Sequence, residues 1–260
     1  CPFRVSRESC GPTCLDAALT EIDAWIGDTS KPRLGAVVVE PVLGREGVVI
    51  PPPGWLAALG RAARERALLV IADEVLTGGG RTGRMWASGP LAPDLVTIGK
   101  GIAGGMPLAA LVGRRQIMTA WETEGEARHT TTFMGHPLAV AATRAALTEI
   151  RRRDLPARAR AIGRALRTGL ARIARRHPAV GDTRGVGGLW GIDLVADREA
   201  RRPDAALAKA VAAGLAARGY LALAGGRHGN VIALTPPLTI TQRQITGFLG
   251  ALGAALADHE

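Results

Sequence analysis

Four short apolar runs punctuate the first half of the chain: Leu34–Val39 (LGAVVV), Leu68–Ala72 (LLVIA), Leu95–Ile98 (LVTI) and Leu108–Val112 (LAALV). Each is continuous rather than alternating, which is the pattern of strands buried on both faces of a mainly parallel sheet. Between the first two, Trp55–Ala67 (WLAALGRAARERA) spaces its apolar residues at helical intervals behind Pro51-Pro52-Pro53-Gly54. Strand, helix and strand in that order predict a βαβ unit. Upstream, a start rich in Pro, Ser and Cys gives way to a helix expected over Thr13–Ile26. From Pro137 to about His177 the pattern is helical, interrupted near Asp154-Leu155-Pro156.

Beyond that point the texture changes. Gly185–Leu194 reads as a strand, Ala205–Arg218 as a helix and Val231–Leu234 as another short strand. A last helix over Thr241–Asp258 has Thr239 or Thr241 to cap it. The expectation is an α/β domain over residues 1–150, with a mainly parallel sheet and flanking helices, followed by a smaller α+β domain over residues 151–260.

Composition narrows the functional classes. Of 260 residues, 47% are hydrophobic and 22% charged, ordinary for a soluble globular protein, and no apolar run is long enough for a membrane helix. A net charge of +10 raises nucleic-acid binding. The arginines are spread along the chain, however, and aromatic residues make up only 3%, too few for base stacking. The densest group, Arg151 to Arg153 with Arg158, Arg160, Arg164, Arg167 and Arg172, reads as a solvated helix face, and no nucleic-acid partner is expected. Cys1, Cys10 and Cys14 lack a nearby fourth ligand for zinc, and the five histidines show no metal-ligand spacing. Free thiols in a reducing cytoplasm, and no metal, are expected.

Two strand ends hold the candidate chemistry. In Ala72-Asp73-Glu74-Val75 an apolar strand runs into two carboxylates, and in Thr97-Ile98-Gly99-Lys100-Gly101 another runs into a lysine between glycines. Ligands of open α/β sheets bind at the carboxyl ends of strands. Lysine occurs only at Lys31, Lys100 and Lys209, the other thirty basic residues being arginines, so its presence at position 100 is selective. An ammonium can lose its proton and attack an aldehyde, whereas a guanidinium stays protonated. On these residues alone, a lysine that caps the strand or pairs with Asp73 stands as the alternative.

The chain resembles the class III (ω-type) aminotransferases, which are pyridoxal-phosphate enzymes of fold type I. The matching segments are Val39-Glu40-Pro41-Val42 with Ile50–Gly54, then Ile71–Ala87 (IADEVLTGGGRTGRMWA), Pro93–Arg114 (PDLVTIGKGIAGGMPLAALVGR) and His129–Ala139 (HTTTFMGHPLA). His177–Leu194 and Asn230–Thr241 extend the likeness to the end of the chain. The resemblance implies a partial type I large domain and a small C-terminal domain. It implies amino-group transfer between an amine or amino acid and a 2-oxo acid, by ping-pong chemistry through the pyridoxamine form, in a homodimer. By the same resemblance, Lys100 carries pyridoxal 5'-phosphate and moves the substrate proton, and Asp73 pairs with the pyridine nitrogen. Val75 lies against the ring, Thr132 binds the phosphate of the neighbouring subunit, and Glu40 has a place near the active site, chemical or structural.

Gly78–Gly83 lacks the ending of a phosphate-binding P-loop and is expected to be a structural turn. Thr130-Thr131-Thr132 also reads as a helix entry, Arg84 and Arg184 are expected to be structural, and His136 has no assigned role.

Three departures from the family pattern stand out. Leu76 occupies the place of a glutamine that bonds the cofactor's ring oxygen. Ala233 occupies that of an arginine that grips a substrate carboxylate in ornithine- and aminobutyrate-type members, which favours a carboxylate held elsewhere or an amine without one. Family members also begin well upstream of the position matching Cys1. The chain is therefore expected to be the C-terminal part of a longer or split enzyme, without the helix N-terminus that binds the cofactor phosphate. A catalytically silent fragment, or aminomutase, racemase or decarboxylase chemistry on the same scaffold, is the alternative.

Overall fold

A computed structural model describes residues 7–121 and 131–259, with the side chains of 10–120 and 131–259. The chain groups into two compact units. The first comprises Cys1–Pro41, Pro51–Gly78 and Trp86–Thr148, and the second Val42–Ile50, Gly79–Met85 and Glu149–Glu260. A single cut after residue 150 therefore misassigns two excursions, Val42–Ile50 and Gly79–Met85, which pack with the C-terminal residues.

The first unit is built on a four-stranded sheet in the order β1 (Ala36–Val39), β2 (Leu69–Asp73), β3 (Leu95–Ile98), β4 (Ala110–Gly113). The first three strands are parallel, with Val39 level with Ala72 and Asp73 level with Thr97. The helix α1 (Arg7–Gly27) starts earlier than its pattern suggests and includes Pro12, and α2 (Trp55–Glu65) forms the crossover between β1 and β2. Alternate residues of the strands, Val37 and Val39, Val70 and Ala72, and Val96, join Leu59, Ala63, Leu68 and Leu91 in one core with Leu15, Ile22 and Leu56 from the helices.

The sheet is mainly parallel, as expected, with two qualifications. The strand β4 runs antiparallel to β3, because Gly99–Ala109 contains a 3-10 turn but no crossover helix of the kind a parallel return requires. Nor are the strands buried on both faces: Val38 is 66% exposed, and Leu69 and Val112 are exposed too. A continuous apolar run is thus compatible with one covered face within this unit. The unit continues through the short helix α3 (Arg115–Met118) into α4 (Pro137–Arg152), which straddles the boundary between the units.

In the second unit α5 (Leu155–Arg176) begins where expected, since Asp154 adopts a left-handed conformation (φ 41°) and its carboxylate accepts the Ala157 N–H. The expected strand over Gly185–Leu194 is instead two, β5 (Val180–Val186) and β6 (Leu189–Asp197), joined by Gly187-Gly188. A two-residue glycine loop supplies the positive φ that a tight hairpin needs. Two further strands were not expected: β7 (Arg202–Pro203) has no apolar run to announce it, and β8 (Leu223–Gly225) ends the short run Leu221–Ala224. The sheet order is β5, β6, β9 (Val231–Leu234), β8, with β7 pairing β6. The helices α5, α6 (Ala205–Ala217) and α7 (Gln242–Ala257) pack against this sheet around Leu166, Leu170, Ile192, Leu215, Ile232 and Leu252. Thr241 caps α7 in a reciprocal capping box with Gln244.

The Gly79–Met85 excursion explains the glycine run. Arg81 donates to the main-chain oxygens of Gly188 and Pro236, Arg160 donates to that of Gly83, and Pro156 lies against Gly80. This segment is structural, as its sequence suggests. Gly187 (φ 56°) packs so closely on it that an added β-carbon would stand 2.4 Å from the Thr82 carbonyl carbon. Gly187→Ala is accordingly expected to lower stability in urea unfolding by about 2–3 kcal/mol. Gly250→Ala, whose added carbon meets nothing, is expected to raise it by up to about 1 kcal/mol.

Candidate active site

The parallel register of the first sheet brings three polar residues to neighbouring strand ends. Glu40 follows β1, Asp73 ends β2, and Lys100 follows β3 three residues after Thr97, the cross-strand partner of Asp73. Asp73 and Thr97 share the sheet face opposite the core, since their neighbours Ala72 and Val96 point into it. The chain makes a sharp departure at Lys100. Its φ of 46° lies in the left-handed region, unusual for a residue with a side chain, and a 3-10 turn begins there. Gly104 (φ 62°) closes this turn, and an added β-carbon there would stand 2.8 Å from the Ala142 oxygen of α4.

Val75 N–H donates to Asp73 Oδ1 at 3.0 Å, which fixes the carboxylate. Asp73 Oδ2 makes no hydrogen bond among the described residues. A Val75 methyl lies 3.7 Å from the position a β-carbon would take on Gly99, so valine and glycine are in ordinary contact beside Lys100. The hydroxyl of Thr97 is buried and without a partner among the described residues. Lys100 itself is exposed and forms no ion pair among them, so it is not the strand-capping partner of Asp73 that the sequence left open.

Sequence reasoning noticed Glu74 as a second carboxylate without seeing its use. It is 1% exposed. Its Oε1 accepts the Ser88 N–H at 2.6 Å, its Oε2 accepts the Thr77 hydroxyl at 2.5 Å, and its own N–H donates to the Thr97 oxygen. Glu74 therefore staples the end of β2 to β3 and to the chain at Ser88. At the other end of β2, Asp94 Oδ2 accepts the Val70 N–H at 2.9 Å while Oδ1 faces Arg114 at 3.3 Å. The spacing of Thr77 three residues after Glu74 was the available signal for the first clamp. Ser88 offered none.

Thr132 lies exposed in the turn before α4, and no hydrogen bond joins it to Lys100 or Asp73 among the described residues. His129 and Thr130 of the same matching segment lie outside the described residues, as does Cys1. Leu76 is half-buried just beyond Val75. Ala233 is on β9 of the second unit, paired with Gly191 and Leu223. Arg184 is a structural hub, donating to the Gly47 and Val48 oxygens and pairing with Asp182 and Asp193. Cys10 and Cys14 are free thiols with Sγ atoms 3.6 Å apart. The bond to Cys14, followed by burial, raises the pKa of Cys10.

A primary amine, an uncommitted carboxylate oxygen, an orphaned hydroxyl and an apolar methyl at the carboxyl end of a parallel sheet fit pyridoxal 5'-phosphate. The amine suits its aldehyde, the carboxylate its ring N–H and the valine its ring face. Such a scaffold defines a pyridoxal-phosphate-dependent enzyme of fold type I.

Comparisons with known proteins agree. The family model for aminotransferase class-III matches residues 6–256, and the chain belongs to that family. It is 36% identical over 233 residues to the 4-aminobutyrate aminotransferase GabT of Escherichia coli, covering 88% of this chain and 54% of that protein. It is 33% identical over 262 residues to a leucine/methionine racemase of Thermococcus litoralis, covering all of this chain and 57% of the relative. Among solved structures, an amine transaminase from an uncultivated Pseudomonas species in its PLP-bound form superposes with a TM-score of 0.88 at 34% identity, over 98% of this chain and 58% of that one. The chain thus spans about half the length of the relatives it matches.

Removing the Glu74 carboxylate leaves a buried amide and a buried hydroxyl without acceptors. Glu74→Ala is expected to cost about 2–4 kcal/mol in urea unfolding, whereas Glu149→Ala, whose pair with Arg152 is exposed, is expected to leave the unfolding midpoint essentially where it was.

Proposed function

We propose that the protein to which this chain belongs transfers an amino group between an amine or amino acid and a 2-oxo acid, with pyridoxal 5'-phosphate bound through Lys100, Asp73, Val75 and Thr132. The observation that carries this reading is the convergence of Lys100 and Asp73 at the ends of adjacent parallel strands, neither in an ion pair among the described residues. When bound, the cofactor supplies an electron sink that lets the bond between hydrogen and the amine-bearing carbon ionise.

The residues divide the work. Lys100 Nζ would hold the cofactor through its aldehyde carbon, the aldehyde oxygen leaving as water, and, once freed by the incoming amine, would take the proton from the substrate carbon and deliver it again. Asp73 Oδ2 would accept the ring N–H and hold that proton in place, while Oδ1 keeps its bond to Val75. The Val75 methyls cover one ring face and keep water from it. Glu40, next to Asp73 across the sheet, orients either the substrate or the strand end. Donor and acceptor use one site in turn, which gives ping-pong kinetics.

Thr132 would bind the phosphate in a neighbouring copy of the chain. The exposed Phe133, Met134 and Leu138 that follow it support a contact with that copy, hence a homodimer. Ala233 offers no charge to a substrate carboxylate, which supports an amine donor or a carboxylate held by another residue. The free thiols of Cys10 and Cys14 support a cytoplasmic setting. No helix of the described residues is long and apolar enough to cross a membrane.

Racemisation is the second reading, supported by the match to the leucine/methionine racemase. The same Lys100 and Asp73 would serve, with the proton returned to the opposite face of the substrate carbon. The two readings part on incubation with a single amino-acid enantiomer. Inversion without a 2-oxo acid supports racemisation, and amino transfer that requires one supports the first.

The cofactor site is tested by mixing the chain with pyridoxal phosphate and recording the visible spectrum. The expected result is a band of lysine-bound cofactor that Lys100→Ala abolishes and Asp73→Ala weakens. A spectrum identical to free cofactor, or a band that survives Lys100→Ala, overturns the assignment of Lys100 in this chain.

A further inference from the structure

The helix α5 carries seven arginines and no acidic residue. Two of them are engaged: Arg158 donates to the Leu238 and Ile240 oxygens, and Arg160 to that of Gly83. The other five, Arg164, Arg167, Arg172, Arg175 and Arg176, make no hydrogen bond or ion pair among the described residues. Like charges three and four positions apart, such as Arg172 with Arg175 and Arg176, work against a helix. The negative end of the helix dipole offsets this for Arg175 and Arg176 in the last turn, but not for Arg164, Arg167 and Arg172. Nor does the neighbouring helix offset it, since α7 adds Arg243 and no acid.

Between α5 and α7 lies a groove of about 950 Å³ lined by Arg164, Arg172 and Arg176, with Thr168, Gln242 and Thr246 as uncharged hydrogen-bonding groups. His177 also lines it, and among the described residues no Asp, Glu, Phe, Tyr or Trp does. Close packing of Gly169 on Leu249 forms its floor, and Gly250 leaves an open stretch of α7 along it.

We propose that this groove binds a phosphorylated small molecule bearing two or more phosphate groups. Three unpaired guanidiniums are spread over about 18 Å of helix, at 1.5 Å per residue. That spacing calls for a ligand whose negative charges are several and separated. Guanidinium forks match phosphate oxygens two at a time and do so without losing charge at any ordinary pH. The volume suits a small molecule rather than a macromolecular track. Without aromatic side chains in its walls, the groove also lacks what single-stranded nucleic acids stack upon. This site is separate from Lys100 and Asp73, which belong to the other unit, and does not rest on the amino-transfer reading.

The test titrates the chain with inorganic tripolyphosphate and with a nucleoside triphosphate by calorimetry at about 150 mM salt, where charges more than about 8 Å apart are screened. One saturable site is expected, weakened at least tenfold by Arg172→Ala/Arg176→Ala and by Gly250→Glu, which sets a carboxylate in the groove. Arg201→Ala/Arg202→Ala, which removes the same charge from the exposed turn that enters β7, is expected to leave binding unchanged. Tighter binding of the nucleoside triphosphate would identify a nucleotide, and equal binding a ligand read by its phosphates alone. Equal loss in both double variants reduces the effect to net charge and overturns the proposal. So does absence of saturable binding, or duplex DNA outcompeting both ligands. Circular dichroism of each variant verifies that α5 and α7 persist, as expected for exposed helical positions changed to Ala.

Discussion

Parallel pairing of β1, β2 and β3 is the constraint on which the candidate site depends. In a parallel sheet every strand ends on the same side, so residues far apart in sequence meet without any loop having to carry them there. Glu40, Asp73 and Lys100 are neighbours for this reason alone. The pairing is then fixed at both ends of the central strand by buried carboxylates, Asp94 on the Val70 amide and Glu74 on the Ser88 amide. Each carboxylate satisfies a backbone donor that burial would otherwise strand. A one-residue slip of β2 against β3 would break both bonds and turn Asp73 toward the core.

Much of this was legible in the sequence, and the boundary of what was legible has a physical cause. Apolar runs located β3 and β9 to the residue and β1, β2 and β4 to within two, but merged β5 with β6 and missed β7 and β8. Those runs do not encode direction, so they left open which strand of the mainly parallel sheet runs the other way, and the lack of a crossover helix makes it β4. Gly187-Gly188 marked a hairpin that the apolar pattern on either side concealed. Asp73 and Lys100 stood out because charged residues directly after apolar strands are conspicuous. Glu74 did not, because its meaning depends on Ser88, which only the folded chain brings to it. Ala233 and Leu76 were legible as departures from the family pattern.

The arginine-rich composition has a structural use that charge counting obscures. Arg81, Arg158, Arg160, Arg184 and Arg198 each donate to main-chain oxygens of segments distant in sequence. A guanidinium offers five donors in a fixed plane, enough to gather several carbonyls of an irregular loop at once. The excursions Val42–Ile50 and Gly79–Met85 are tied into the second unit largely in this manner. Burial lowers the pKa of Arg81, yet its two carbonyl partners keep the cation useful as a fastener.

The left-handed backbone at Lys100 has a cost. Glycine adopts φ near 46° without strain, whereas a residue with a β-carbon loses about 1 kcal/mol there. Gly104 and Gly105, just beyond it, take positive φ without that loss. Whatever the amine does must offset the difference, so the position trades stability for a side chain.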